Sequence, residues 1–351
     1  MKEKKTLTIG IPTYNRPEAL CRRLSEIAQF GEVVDQIVIC DNSNNTSENV
    51  KEALNSHPIP CNYIRNRNNV GGGANFIRVI ENSTTDYMWW RGDDDVISRE
   101  QVMAIASQLR FENKLILLGS HIKEKFEGKG VSEFVANFEK VSKMGWLSSI
   151  VLPVSIAKKA LPWGYYGIAP GWANVTMVLG LFRVCPDLEF VVVPIVLKEG
   201  EFRDIGRDGL RWALFNTCLR QFPQTANVLA NDELRERYIK NWRRSHKFKL
   251  LKTMVRMRLG FMGQEKVGIS TIYPLLSIVN PRSTLLGAAL LVMSRVPRWV
   301  YQILFPMYWF RLTDSQKKRL GLNFLMEKEK YFDIYLALRK SSTEQVKDTF
   351  L

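Results

Sequence analysis

The chain has 351 residues and a formal net charge of +15, with 46% hydrophobic and 24% charged residues. These shares are typical of a globular protein and exclude a disordered or fibrous one. The length predicts a mid-sized α/β core followed by a C-terminal extension. The five cysteines show no C-x-x-C spacing, which indicates reduced thiols rather than a disulfide framework.

The charge is spread unevenly along the chain. Residues 1–200 carry 23 Lys and Arg against 22 Asp and Glu, whereas residues 201–351 carry 27 against 13. An anionic partner is therefore expected to meet the C-terminal part. The start of the sequence lacks the apolar region of a signal peptide, and no run of about 20 uninterrupted apolar residues occurs. The sequence thus predicts a cytoplasmic protein.

The first 120 residues alternate short β-branched runs with helix-like segments. The predicted strands are Leu7 to Ile11, Gln36 to Cys40, Asn62 to Ile64, Tyr87 to Trp90 and Leu115 to Leu118, with one more at Glu189 to Leu197. The predicted helices are Pro17 to Phe30, Ser47 to Asn55, Gly73 to Asn82 and Ser98 to Phe111, and most of the chain after Gly209 also shows a helical pattern. This alternation predicts βαβ units and a largely parallel sheet, which binds ligands at the carboxyl ends of its strands.

A polar loop follows each of the first four predicted strands. We call them the Pro-Thr-Tyr-Asn-Arg-Pro loop (residues 12–17), the Asp-Asn-Ser loop (41–43), the glycine loop (66–73) and the acidic loop (Gly-Asp-Asp-Asp, 92–95). Because these loops follow strands of one predicted sheet, they are expected to lie close together at its edge.

The acidic loop places three carboxylates, Asp93, Asp94 and Asp95, directly after an apolar strand. Adjacent carboxylates repel one another unless a cation lies among them. Mg²⁺ or Mn²⁺ is the simplest candidate, because these hard cations bind one or two carboxylates and complete their shell with water and phosphate oxygens. The alternative is a solvated acidic turn.

Two other loops carry groups suited to a nucleotide. Asp41 is placed to accept hydrogen bonds from a base or a ribose hydroxyl, although a turn-forming Asp before Asn-Ser fits equally well. The glycine loop would let backbone N–H groups approach a phosphate or sugar at the start of a helix.

Taken in order and spacing, the four loops, together with Asn75, resemble the successive motifs of glycosyltransferase family 2, whose members have the GT-A fold. The resemblance is strong over roughly residues 5–120 and loose over 120–205. The acidic loop is most similar to that of bacterial enzymes that build O-antigen or capsule glycans, of the abequosyl- and rhamnosyltransferase-like type.

The resemblance implies a role for individual residues. Thr13, Tyr14 and Arg16 would line the nucleotide pocket, and Asp41 would contact the base. Lys198 could touch the diphosphate. The full implied set for the nucleotide sugar is Pro12, Thr13, Tyr14, Arg16, Asp41, Asn68, Gly71, Asn75, Asp93, Asp94 and Lys198.

The resemblance leaves the metal ligand open. Reading Asp93 and Asp95 as the D-x-D pair puts Asp95 on the metal, whereas aligning the family's common Asp-x-Asp-Asp pattern by its final pair makes Asp94 the ligand.

Family members invert the anomeric centre in a single displacement, which requires a carboxylate base for the acceptor hydroxyl. The stretch where the family carries this base, residues 170–174, has no carboxylate here. The candidates are Glu199 and Glu201, just after the last predicted strand. Alternatively, these acids pair with Lys198, Arg203 and Arg207.

The segment 235–258 contains ten Lys and Arg and one acid, Glu236. As a helix it would align Ile239, Trp242 and further apolar residues on one face, the composition of a helix on an anionic membrane surface. The alternative is a helix that packs on the catalytic domain with a solvated basic face. RNA binding is a lesser alternative.

The resulting prediction is a GT-A domain at residues 1–205, with a nucleotide-binding half (1–120) and an acceptor-side half (121–205), and a helical basic extension at 206–351. The predicted protein is an inverting, Mg²⁺- or Mn²⁺-dependent glycosyltransferase, peripheral on the inner face of the cell membrane, that extends a glycan acceptor linked to polyprenyl diphosphate. A nucleotidyltransferase and a catalytically impaired nucleotide-sugar- or glycan-binding protein are the alternatives.

Overall fold

A computed structural model describes residues 5–109, 113–119, 122–195 and 221–242, with isolated positions between 244 and 300. The chain divides into two units. The first comprises Met1–Gly206 and Gln221–Ser245, and the second comprises Arg207–Arg220 and His246–Leu351. The elements and the site described below all belong to the first unit.

A mixed sheet of eight strands forms the centre of this unit. The strands are β1 (Leu7–Thr13), β2 (Gln36–Asp41), β3 (Cys61–Arg65), β4 (Tyr87–Trp90), β5 (Leu115–Leu118), β6 (Phe126–Lys129), β7 (Ile150–Pro153) and β8 (Glu189–Val193). Their order is β3-β2-β1-β4-β7-β5-β8-β6. This architecture confirms the predicted α/β fold class, and all six predicted strands are present in their described residues.

The strand directions differ between the two halves of the sheet. β3, β2, β1 and β4 are mutually parallel, and β5 pairs in parallel with β8. β7 is antiparallel to both β4 and β5, and β6 is antiparallel to β8. The sequence analysis did not predict β6 or β7. β7 is four apolar residues between the 3₁₀ helix Leu147–Ser149 and the α-helix Val154–Lys159, and such a short buried run has no periodicity that distinguishes a strand from a helix.

Helices connect the strands. They are α1 (Pro17–Ile27), α2 (Glu48–Asn55), α3 (Gly72–Asn82), α4 (Arg99–Gln108), α5 (Gly130–Ala136), α6 (Phe138–Val141), α7 (Val154–Lys159), α8 (Leu161–Tyr166) and α9 (Ala173–Val184). The four predicted helices are confirmed as α1 to α4, within about three residues at each end.

Local sequence explains where these helices begin. Pro17 occupies the first turn of α1, where its missing N–H costs nothing. The Ser47 hydroxyl accepts from the N–H of Val50, and Ser98 forms a capping box with Gln101. α3 starts after Gly71, which has φ +81°, a backbone conformation that favours glycine.

The core lies on both faces of the sheet. One face packs against α1, α2 and α4 through residues such as Leu24, Ile39 and Val102. α3 lies so close to the other face that a Cβ on Gly10 of β1 would come within 2.1 Å of Val79 Cγ1. Ten of the twelve residues of α9 are buried, which accounts for a sequence that is apolar on every side.

Residues 221–242 pack against the same unit. A short 3₁₀ helix, Phe222–Val228, precedes a helix over residues 232–242, named α10. The ring of Trp242 stacks on that of Phe222 at 5.2 Å and is 1% exposed. The helical pattern of residues 235–258 predicted Trp242 on a membrane-facing surface. The side chain lies instead in the interior of the first unit. At this position the alternative interpretation, a helix that packs on the preceding domain, is the correct one. The predicted segment continues from 245 outside the described residues.

Candidate functional site

The predicted site residues converge where four parallel strands end. A cleft of about 290 Å³ opens between the loops that follow β1 and β2. Its walls include Thr13 and Arg16 from the first loop and Asp41 and Ser43 from the second, above the apolar side chain of Val50. The acidic loop adjoins it, because Thr13 and Arg16 both contact Asp93.

The Pro-Thr-Tyr-Asn-Arg-Pro loop reverses direction at Asn15, whose φ of 53° lies in the left-handed region that Asn tolerates better than most residues. The Asn15 N–H donates to the Ser43 hydroxyl at 2.7 Å, which fixes the first loop to the second. Pro12 and Thr13 are buried, Arg16 is half-buried and Tyr14 is 47% exposed. Tyr14 is thus the most accessible of the predicted pocket residues in this loop.

A guanidinium lies among the three carboxylates of the acidic loop. Arg16 Nη1 donates to Asp93 Oδ1 at 2.9 Å and lies 3.3 Å from Asp94 Oδ2. The Thr13 hydroxyl donates to Asp93 Oδ2 at 2.7 Å. Part of the repulsion expected from three neighbouring carboxylates is therefore relieved by this chain's own arginine.

Burial and pairing oppose each other at this cluster. Burial raises the pKa of Asp93, while the hydrogen bond from Thr13 and the charge of Arg16 act to lower it. For Arg16, burial acts to lower the pKa, but the charges of Asp93 and Asp94 outweigh it and the pKa is raised. The Asp93–Arg16 pair is therefore sensitive to the loss of either partner.

Asp94 and Asp95 have different surroundings. The Asp94 side chain is 30% exposed, and its recorded partner is Arg16. Asp95 is 8% exposed, and its carboxylate accepts a hydrogen bond from the Ser148 hydroxyl. Its backbone carbonyl accepts from Arg23 Nη1 at 2.8 Å. Asp94 is thus the carboxylate with oxygens open to a ligand.

Buried arginines support the acidic loop. Arg91 is 1% exposed, lies over the Trp89 ring at 4.6 Å and donates to the carbonyl of Val96 at 2.6 Å. Burial lowers the pKa of Arg91 to about 10, against the opposing charge of Asp95. Asp95 therefore balances charge within the protein.

The donor set fits a hard divalent cation. Within the described part of the chain, no three His, Cys, Asp or Glu residues lie together as a metal cage. Mg²⁺ usually takes only one or two carboxylates and completes its shell with water and substrate phosphates. The partly exposed Asp94 carboxylate, with Asp95 beside it in sequence, would offer oxygen ligands of that kind.

Asp41 is the centre of a hydrogen-bond network. One carboxylate oxygen accepts from the N–H and the hydroxyl of Ser43, and the other accepts from the Tyr63 hydroxyl at 2.7 Å. Burial and this bond raise the pKa of Tyr63 to about 12, so the phenol stays a donor at neutral pH. The turn-forming role is therefore observed. Contact of Asp41 with a base stays a prediction, and the residue does line the cleft.

Asn75 is 2% exposed and joins three elements. Its Nδ2 donates to the carbonyls of Cys40 at 2.8 Å and Thr13 at 3.3 Å, and its Oδ1 accepts from Asn66 at 2.9 Å. All these partners belong to the protein. The predicted contact of Asn75 with the nucleotide-sugar donor stays a prediction. The hydrogen bonds of its side chain hold the ends of β1 and β2 together.

The glycine loop lies against the Asp-Asn-Ser loop. The Asn42 side chain accepts from Asn66 Nδ2 at 2.8 Å and donates to the Gly71 carbonyl at 3.3 Å. Asn68 and Gly71 are exposed, so both are accessible to a ligand.

Lys198, Glu199 and Glu201 lie outside the described residues, so their predicted roles stay predictions. Asn174, in the stretch where the family carries its base, is buried and donates to the carbonyl of Met144 at 2.9 Å. This amide supports the start of α9 from within the protein.

The structure also identifies residues that the sequence analysis missed. Ser43 belongs to a quoted motif but was given no role, although it joins Asp41 to Asn15. Asn66 and Arg23 support the glycine and acidic loops, respectively. Ser148 is more than 50 residues from the acidic loop, and no motif pointed to it.

No helix among the described residues is both long enough and apolar enough to cross a membrane.

Curated proteins of known activity resemble this chain over about a hundred residues. Abequosyltransferase RfbV of Salmonella typhimurium is 30% identical over 107 residues, which cover 29% of this chain and 32% of that protein. Galactofuranosyltransferase GlfT1 of Mycobacterium tuberculosis is 25% identical over 97 residues, covering 27% and 32%. The matches thus span about a third of the length of these curated relatives.

Among solved structures, the mannosyltransferase PcManGT from Pyrobaculum calidifontis, in complex with GDP-Man and Mn²⁺, has a TM-score of 0.49 and 11% identity, covering 84% of this chain and 87% of that chain. Residues 1–349 of TarS from S. aureus give a TM-score of 0.46 and 12% identity, covering 82% and 88%.

The family model described as Glycosyl transferase family 2 matches residues 8–137. These residues include all four polar loops at the carboxyl ends of β1 to β4. The four loops therefore lie within the part of the chain that is similar to glycosyltransferase family 2.

Proposed function

We propose that this chain is an inverting glycosyltransferase that moves a sugar from a nucleotide-sugar donor to a hydroxyl of a glycan acceptor. The observation that carries the proposal is the convergence of the cleft between the first two loops with the acidic loop. Thr13 and Arg16 line the cleft and also contact Asp93, so a nucleotide in the cleft would place its diphosphate next to Asp93 and Asp94.

The residues of the cleft divide the work of donor binding. Val50 and Leu20 offer an apolar surface, while Asp41 and Ser43 offer oxygen acceptors for the polar edge of a base or ribose. Tyr14 is exposed at the rim and suited to packing against a ring. Holding the donor in this way would convert transfer into a reaction between prepositioned groups.

Asp94, assisted by Asp95, would hold Mg²⁺ or Mn²⁺. Such a cation neutralises the charge that develops on the leaving diphosphate. The proposal favours Asp94 as the principal ligand, because its carboxylate is partly exposed whereas that of Asp95 is buried and bonded to Ser148.

A thermal-shift panel of UDP-, GDP-, CDP- and dTDP-sugars, each with and without Mn²⁺, tests the proposal. Stabilisation by sugars of one nucleotide, increased by Mn²⁺, is the expected result, because a ligand that binds only the folded state raises the Tm. Slow metal-dependent hydrolysis of the same donor should accompany it. No stabilisation by any donor, or donor binding without hydrolysis or transfer, would reject an active glycosyltransferase.

We further propose Glu199 or Glu201 as the base that accepts the proton from the acceptor hydroxyl. Support comes from the sequence, because both residues follow the strand β8. This strand runs parallel to β5. Replacing each by Gln should lower transfer to the acceptor and leave donor binding unchanged. Full activity in both variants would reject this assignment.

We propose that the acceptor is linked to a polyprenyl diphosphate in surface polysaccharide synthesis. The similarity of this chain to abequosyltransferase RfbV and the basic charge of residues 201–351 support this proposal. It predicts that the protein associates with the inner face of the cell membrane as a peripheral protein.

A further inference from the structure

The hydroxyl of Ser148 contacts both ends of the acidic loop. Ser148 lies in the 3₁₀ turn Leu147–Ser149, directly before β7, and is fully buried. Its Oγ donates to Asp95 Oδ2 and accepts from the N–H of Gly92 at 3.0 Å. One side chain therefore bridges the first and last residues of the loop.

The main chain of Ser148 is itself held in place. The Trp89 indole Nε1 donates to the Ser148 carbonyl at 2.9 Å. Trp89 belongs to β4, which leads into the acidic loop, and it pairs with Val151 of the antiparallel strand β7. The pairing of β4 with β7 thus sets the position of the Ser148 hydroxyl relative to the loop.

The loop is tightly folded where Ser148 contacts it. A Cβ on Gly92 would lie 2.8 Å from Asp94 Oδ1 and 3.0 Å from Asp95 Oδ2, so both carboxylates fold back over this glycine. Because Ser148 holds Asp95 and Gly92 together, removing its hydroxyl would leave two buried polar groups without this partner. The loop would then be expected to open, and Asp94 would move with it.

We propose that Ser148 is a positioning residue for the donor site, which fixes the acidic loop so that the Asp94 carboxylate faces the donor. The inference rests on the proposed function for the identity of the donor. Ser148 lies outside residues 8–137, the part that matches the family model. The acceptor-side half of the fold would thus contribute directly to the geometry of the donor-side half.

Ser149 provides a matched control. It is also fully buried and lies in the same turn, and its hydroxyl donates to the carbonyl of Trp146 at 2.7 Å. Replacing Ser149 by Ala also removes a buried serine hydroxyl, but one that donates to the main chain of its own turn and not to a carboxylate of the acidic loop. A purely structural role for Ser148 predicts the same behaviour for both variants.

The experiment compares Ser148→Ala and Ser149→Ala in the full-length protein. Hydrogen exchange of the peptide covering residues 91–97 should accelerate in Ser148→Ala alone, because the Gly92 N–H loses its acceptor. With the nucleotide sugar that stabilises the wild type, kcat/KM should fall roughly 10- to 100-fold in Ser148→Ala, the usual effect of removing a partner behind a metal ligand. Ser149→Ala should stay near the wild type in both measurements at a comparable Tm.

Ser148→Cys is a second variant, with nearly the same volume but a much weaker donor, for the case that the alanine variant does not fold. It should reproduce the faster exchange at residues 91–97. Equal exchange in the Ser148 and Ser149 variants would overturn the inference, whether or not the protein turns over a nucleotide sugar. The proposed function would instead be rejected if the wild type bound no donor while residues 91–97 stayed protected from exchange in the wild type and lost that protection in Ser148→Ala.

Discussion

Arg16 connects the cleft between the first two loops with the acidic loop through a single guanidinium. Its contacts with Asp93 and Asp94 provide the positive charge that the three adjacent aspartates required on sequence grounds. The sequence suggested that this charge would come from a metal ion. In the structure, the Arg16 guanidinium already supplies one positive charge, so a bound cation would have less negative charge to neutralise.

The Asp93–Arg16 pair predicts a pH dependence of donor binding. Burial raises the pKa of Asp93, so as the pH falls through that value the carboxyl protonates and its pair with Arg16 is lost. In Arg16→Gln the lowering effect of the guanidinium disappears, and the pKa of Asp93 rises further. The acidic limit of donor binding should therefore move to higher pH, and affinity at neutral pH should fall roughly tenfold, the cost of a charged hydrogen bond.

Isothermal titration calorimetry with the donor, repeated across a pH series, measures both the acidic limit of donor binding and the affinity at neutral pH. Arg99→Gln removes the same charge from an exposed ion pair with Glu32 and serves as the control. An acidic limit that is unchanged in Arg16→Gln would show that Asp93 does not govern donor binding.

Asp94 and Asp95 should respond differently to replacement by Asn. Asp94→Asn should lower metal-dependent activity by roughly two orders of magnitude with little change in Tm, because the partly exposed carboxylate would hold the cation. Asp95→Asn should lower the Tm by several degrees, because it removes the largest of the negative charges that act on the buried Arg91 guanidinium.

Mn²⁺ titration of activity, together with thermal unfolding, separates the two effects. Activity that is lost in Asp95→Asn at an unchanged Tm, and retained in Asp94→Asn, would reverse the assignment of the ligand.

At the scale of elements, α3 organises the donor side of the sheet. Its first turn places Asn75 where the side chain reaches the carbonyls of Cys40 and Thr13, at the ends of β2 and β1. Gly10 allows the helix to approach β1 closely. The glycine loop before α3 therefore has a fixed relation to the two strands that carry the cleft.

Asn75→Ala should destabilise the protein by about 2–3 kcal/mol, because the buried carbonyls and the Asn66 amide lose their partner. Asn82→Ala is the control on the same helix. The Asn82 amide is half-buried and donates to the Arg78 carbonyl within α3, so its loss should cost under about 1 kcal/mol. Urea unfolding gives both values, and equal losses would contradict the role of Asn75 as a joint between elements.

The sequence predicts elements best where their signals are local. α1 to α4 are predicted by apolar residues at three- and four-residue spacing, and β1 to β4 by short β-branched apolar runs. β7 has no such signal, and its antiparallel place between β4 and β5 depends on pairing across the sheet. Ser148 was missed for the same reason, because its contact with Asp95 depends on that pairing.

The sequence predicted which residues lie in the site better than it predicted the role of each residue. Thr13, Arg16, Asp41 and the three aspartates do lie together, since the carboxyl ends of adjacent parallel strands must meet. Which of them faces a ligand depends on burial, which one sequence does not display. Asn75 was assigned to the donor on its motif, yet its recorded partners all belong to the protein.

At the scale of the whole molecule, the basic segment 235–258 straddles the end of the described first unit. Its beginning packs inward through Tyr238 and Trp242. The helix is anchored further by Asn241, whose side chain donates to the carbonyl of Val135. The apolar residues Tyr238 and Trp242 are therefore occupied by contacts within the protein, whereas Arg237 and Lys240 of the same helix are exposed.

Lys247 and Lys249 test this view of the segment, because they follow α10 in sequence. Lys247→Glu combined with Lys249→Glu should weaken binding of the full-length protein to vesicles that contain anionic lipid by at least roughly tenfold, since each lysine near such a surface contributes about 1 kcal/mol. Lys158→Glu combined with Lys159→Glu changes the net charge equally at exposed positions of α7 and should leave binding near that of the wild type.

Flotation with phosphatidylglycerol vesicles, at low and at high salt, provides the measurement. Weakening of wild-type binding by salt would agree with an electrostatic contribution, because the surface potential is screened within a Debye length. Equal flotation of the two charge variants would show that net charge, rather than the segment after α10, attracts the protein. If the wild type does not float with the vesicles, the membrane surface is rejected as a partner of the protein. A soluble glycan would then be the acceptor to test.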